Sequence, residues 1–149
     1  MTGVQTCALP ISRIKLKGSD DTIPTLAQAL ALVAGAVPLL IELKDQSLTL
    51  TDTDGRLENA TAFELESYSG PVALMSFNPY SILQMARILP NVPRGLTTSA
   101  YGEDCAPLPQ ATRDRLREIP DYDRTFSSFI SHEAAGPPRG GGRGLRPRG

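Results

Sequence analysis

The chain has 149 residues, with 15 Lys and Arg against 16 Asp and Glu, 40% hydrophobic and 5% aromatic residues. That is the size of one ordinary domain. Two Cys and a single His cannot supply a disulfide framework or a four-ligand zinc site, and the lack of Trp and scarcity of other aromatics speak against a base-stacking nucleic-acid surface.

In chain order, Met1 to Ile11 carries no charge and reads as translated sequencing-adapter sequence. A signal peptide needs a basic start and a longer apolar stretch, and this one is broken by Pro10. Cys7 then has no meaning. Residues 12–135 form the expected domain. Thr25 to Ala34 spaces Leu26, Ala29, Leu30 and Val33 for a helix, with Pro24 before it and Gly35 to stop it. Pro38 to Lys44 reads as a strand. Asp54 to Tyr68 follows as a helix with Leu57, Thr61, Phe63 or Glu64, and Leu65 in range, ended by Gly70-Pro71.

Val72 to Phe77 is a near-continuous apolar run, as in a strand covered on both faces. Pro79 to Leu89 predicts a third helix, Val92 to Leu96 a short strand, the region of Ala111 to Arg117 a fourth helix, and Phe126 to Ser131 a fourth strand. Strands and helices that alternate over short connections predict an α/β fold with parallel strands. No glycine-rich phosphate loop follows any strand, which lowers the Rossmann and P-loop alternatives. Residues 136–149 are Gly, Pro and Arg with one Leu, a composition that predicts disorder. Without that tail's four arginines the balance is 11 basic to 16 acidic groups, a net charge of −5. Such a domain does not attract nucleic acid by its overall field.

Alternation along the first strand puts Leu40, Glu42 and Lys44 on one face and Leu39, Ile41 and Leu43 on the other. A carboxylate and an ammonium thus share the C-terminal end of a strand, where α/β barrels keep their active sites. Burying a charge is costly unless it is paired or binds a metal, so the pair points to function, although a rim ion pair would have the same spacing. Ser76 and Asn78 end the next strand; they can face a substrate or cap the helix that begins at Pro79, and capping is the better reading for Asn78. His132 reads as a solvent-facing loop residue. Cys105 has no base nearby in sequence, which argues against a nucleophile. Asn59-Ala-Thr61 is a glycosylation sequon, but it falls inside a predicted helix.

Ile23-Pro-Thr-Leu26 before the first helix, and Val37-Pro-Leu-Leu-Ile-Glu-Leu-Lys-Asp45 after it, resemble the glycerophosphodiester phosphodiesterase family. Val72-Ala-Leu-Met-Ser-Phe-Asn-Pro79 and Pro93-Arg-Gly-Leu96 add to the resemblance, which covers about Ile14 to Glu133. It implies part of a (β/α)8 TIM barrel of the phospholipase C-like phosphodiesterase type. It also implies metal-dependent hydrolysis of a small-molecule glycerophosphodiester to an alcohol and glycerol 3-phosphate. The implied cofactor is a divalent cation, Ca²⁺ or Mg²⁺. By that match Glu42 is a metal carboxylate and Lys44 faces the substrate phosphate. The family's histidine acid/base pair, its Glu-x-Asp ligands and its closing aromatic motif have no counterpart in this sequence, so no residue is assigned to proton transfer. The chain is then expected to be an inactive internal fragment, cytoplasmic by default and without a membrane span. The alternatives are a non-catalytic half-barrel that binds phosphate or a partner, and a different barrel enzyme that uses Lys44 as a Schiff-base lysine.

Overall fold

The structure is a computed structural model that describes residues 13–47, 49–102, 105 and 107–134. The expected adapter segment with Cys7, and the Gly/Pro/Arg tail, lie outside the described residues. Eight elements alternate: α1 (Leu26–Val33), β1 (Leu39–Glu42), α2 (Arg56–Leu65), β2 (Val72–Ser76), α3 (Pro79–Ile88), β3 (Arg94–Thr98), α4 (Gln110–Arg117) and β4 (Phe129–His132). The four strands form one sheet in the order β1-β2-β3-β4, and all three pairings are parallel. The expected α/β class is therefore present. The order steps in one direction, without the reversal that marks a doubly wound sheet. Among the described residues no helix is long and apolar enough to cross a membrane.

Local chemistry sets most boundaries. Thr25 and Gln28 close a capping box around the start of α1: Thr25 Oγ1 accepts from Gln28 N at 3.2 Å, and Gln28 Oε1 accepts from Thr25 N at 2.9 Å. The helix ends at Val33, and Ala34 and Gly35 both take left-handed backbone. Pro79 opens α3, where a missing N–H costs nothing.

Cross-strand register assigns the two faces. Leu39, Ile41 and Leu43 lie beside Val72 and Leu74, and these pack with Leu30, Ala62, Leu65 and Met85 from α1, α2 and α3. The buried stripe of α2 is Glu58, Thr61, Ala62 and Leu65, an i, i+3, i+4, i+7 pattern; Phe63, expected in range of the core, is 73% exposed instead. Burial of the fully covered Leu74 contributes roughly 1.5–3 kcal/mol by transfer from water. A second cluster of Tyr101, Leu108 and Leu116 forms beyond the end of β3.

Two strands sit later than expected. β3 begins at Arg94, because Pro93 has no N–H for the ladder and offers only its carbonyl, to Leu74 N at 2.9 Å. β4 begins at Phe129, because 121–127 is a turn: Thr125 N donates to Asp121 O, Ser127 N to Tyr122 O, and Phe126 has a φ of 51°. Arg115 and Arg124 both pair with the buried Asp121 carboxylate and close that turn.

Candidate functional site

Glu42 ends β1 on the face of the sheet opposite α1, α2 and α3, and Lys44, expected within the strand, stands two residues beyond its end. Register lines up Glu42, Met75, Gly95 and Phe129 in one row across the four strands. Leu40 and Ala73 lie one step before that row, and Thr97 and Ser131 one step beyond it. Gly95 is required by its neighbour: a Cβ there would meet Phe129 Cδ2 and Cε2, and would stand 2.6 Å from Phe129 O. The Phe129 ring therefore folds over Gly95 and walls one end of the row.

Glu42 holds the other end. Lys44 Nζ lies 2.7 Å from Glu42 Oε1; the lysine side chain is 72% exposed and the glutamate only 22%. Oε1 itself is buried and receives no aligned hydrogen bond, although the ammonium stands within ion-pair distance. With so exposed a partner, the pair contributes about 0–1 kcal/mol to stability. Its arrangement therefore has little structural value to explain it. The carboxylate oxygen is held out of water, with the Lys44 ammonium as its neighbour.

The loop after β1 is held by β2. Ser76 Oγ donates to Leu43 O at 2.6 Å, and Asn78 N donates to Ser76 Oγ at 3.0 Å. Asn78 Nδ2 donates to Asp45 Oδ1 and to Thr51 O, each at 2.7 Å, while Asn78 Oδ1 caps α3 by accepting from Tyr80 N at 2.9 Å. Burial pushes the Asp45 carboxyl up, but donors from Asn78, Ser47 and the Leu50 and Ser47 backbone outweigh it and hold it below its usual range. The expected cap at Asn78 is present. Its two donations to the β1 loop are not visible in the sequence, because they join residues 33 and 27 positions away.

Beside this loop is a cleft of about 210 Å³, lined by Lys44, Asp45, Asp52, Thr53, Glu58 and Asn78 among others. Glu58 is 2% exposed and its carboxylate accepts from Ser81 Oγ and from Thr53 Oγ1. That pairing ties α2 to α3 and to the loop, which is a structural use of a buried acid.

His132 is not a loop residue. It ends β4 on the helix-side face, half-buried, and its Nδ1 lies 2.8 Å from Thr98 Oγ1. It therefore stands on the face opposite Glu42. Cys105 packs against the Tyr101 cluster, and the Tyr101 hydroxyl is pushed well above its usual range by burial and then by Cys105 and Asp121. In the sequon, Thr61 is buried and Asn59 Nδ2 already donates to Gly55 O at 2.7 Å, so the helix engages both residues.

A divalent cation takes about six to eight oxygen ligands, if calcium, or a near-octahedral set, if magnesium. Among the described residues no group of three His, Cys, Asp or Glu could hold a metal ion. Glu42 fits the role of one carboxylate, and the described residues do not complete a cation site by themselves. No protein-family model matches the chain, and neither a curated protein nor a solved structure matches it.

Proposed function

We propose that this chain is the middle of a glycerophosphodiester phosphodiesterase barrel, in which Glu42 is a carboxylate toward a divalent cation and Lys44 meets the substrate phosphate. The observation that carries it is the Glu42–Lys44 pair at the C-terminal end of β1, with the carboxylate oxygen Oε1 buried and lacking an aligned donor. The sheet that steps in one direction through consecutive parallel strands supports the barrel. When bound, the cation would polarise the phosphoryl oxygen. The chain's own contribution is charge: the Lys44 ammonium offsets the negative phosphate, and Glu42 keeps that ammonium over the sheet. The cytoplasm is the proposed compartment.

Hydrolysis also needs a proton donor and acceptor, and His132 stands on the wrong face to serve. The chain alone is therefore expected to show no turnover. This same observation favours, for the isolated chain, the second reading of a half-barrel that binds phosphate without cleaving it.

The test begins by sequencing the source locus across the Ile11–Ser12 junction. The continuous frame is then expressed and release of glycerol 3-phosphate is measured with Ca²⁺ or Mg²⁺. A frame that continues upstream into His-Arg-Gly and Glu-x-Asp should hydrolyse glycerophosphodiesters. Glu42→Gln should then lower kcat by about 10²–10³, the usual cost of removing one electrostatic stabiliser. A continuous frame that has both motifs and stays inert overturns the proposal.

A further inference from the structure

Lys44 has a long flexible stem, so its ammonium is only as well placed as the backbone that carries it. That backbone is gripped on both sides. Ser76, fully buried, holds Leu43 O, and Asn78, 1% exposed, holds Asp45 Oδ1. Asp45 passes the grip on: its Oδ2 accepts from Leu50 N at 3.3 Å, while Asn78 also takes Thr51 O. One side-chain amide thus pins both ends of the loop.

Capping α3 does not require this. A cap uses only the Oδ1 acceptor, and Asp or Ser would serve as well. Asn78 Nδ2 makes its two bonds entirely outside its own helix, and a donor at that atom is what distinguishes Asn from the other capping residues.

We propose that Ser76 and Asn78 are positioning residues for Lys44: by fixing Leu43 and Asp45 they keep the ammonium beside Glu42, where a phosphodiester's phosphate would meet it. The part concerning phosphate rests on the phosphodiesterase reading; the placement of Lys44 does not.

The chain has three lysines, Lys15, Lys17 and Lys44. Reductive methylation with ¹³C-formaldehyde gives each a dimethylamine resonance, and Lys44→Arg identifies that of Lys44. Lys17 serves as the reference, because Lys15 is itself paired with Asp20 at 2.6 Å. Asn78→Ser keeps a capping oxygen, adds no charge beside Asp45 and removes both donations to the loop. Ser76→Ala removes only the bond to Leu43. The Lys44 resonance should move toward that of Lys17 in Asn78→Ser, and less far in Ser76→Ala, with thermal melting unchanged in cooperativity. Exchange of the Leu50 amide should speed up by roughly tenfold or more in Asn78→Ser, as expected for loss of a hydrogen bond to a charged group. A Lys44 resonance that stays in place in both variants overturns the proposal. Should Asn78→Ser fail to fold, Ser76→Ala and Asp45→Asn decide it with the same two readouts. Titration with inorganic phosphate examines the underlying reading separately. A response at Lys44 alone, lost in Asn78→Ser, supports both. A variant-sensitive Lys44 that ignores phosphate upholds the clamp and overturns the phosphate role.

Discussion

Gly95→Ala tests whether the row across the sheet is packed as described. The added Cβ would meet two ring carbons of Phe129 and approach Phe129 O to 2.6 Å. The ring can rotate away, but the carbonyl belongs to the neighbouring strand, so the β3–β4 pairing must open by several tenths of an ångström. Overpacking of this kind costs about 1–3 kcal/mol. Replacing glycine also restricts the unfolded chain, which favours the variant by about 0.4–1 kcal/mol. The net expectation is a loss of about 1–2 kcal/mol. Urea unfolding followed by far-UV circular dichroism measures it; with a slope of about 1–3 kcal/mol per molar, the midpoint should fall by roughly 0.5–1 M. A double-mutant cycle separates the two contacts. In a Phe129→Ala background the ring is gone while the carbonyl remains, so Gly95→Ala should cost less there, but not nothing. If Gly95→Ala is as stable as the parent, the approach of Phe129 to Gly95 is wrong and the wall of the row with it.

Three other outcomes follow from the same geometry. Leu40 is 53% exposed while Leu74 is fully buried, so Leu40→Ser should change stability by no more than about 0.5 kcal/mol and Leu74→Ala should cost about 2–5 kcal/mol in the same unfolding assay. Asp45 has a folded-state pKa below its ordinary 3.8, so its contribution is complete above that value and is lost as pH falls through the folded pKa. The stability gap between the parent and Asp45→Asn should accordingly be constant above about pH 5 and shrink below pH 4, as followed by thermal melts across pH. Arg94, buried enough to hold its guanidinium pKa down, donates from Nη2 to Leu89 O at 2.8 Å and to Pro90 O at 2.7 Å; Arg94→Lys cannot make this fork and should cost about 1–3 kcal/mol by calorimetry.

Much of the fold was legible because its causes are local. Helical spacing of Leu26, Ala29, Leu30 and Val33, the proline at the start of α3, and the apolar run of β2 each report their element within a few residues. Alternation along β1 was enough to put Glu42 beside Lys44 and apart from Leu39, Ile41 and Leu43. The order of elements then implied parallel strands, since short helical crossovers allow little else.

What the tertiary structure decided lies between segments. Pro93 and the 121–127 turn moved the starts of β3 and β4 along the chain, and the register between strands decided which face each side chain takes. His132 thereby came to Thr98 and not to Glu42. Gly95 looks like a weak strand residue until Phe129, 34 positions on, is laid across it. Asn78 looks like a cap until its amide reaches Asp45. Periodicity is a property of one segment, whereas register and close approach are set by contacts between residues about 30 apart. The sequence by itself therefore determined which elements form and which residues of β1 share a face, and only the packing of strand on strand decided what stands beside them.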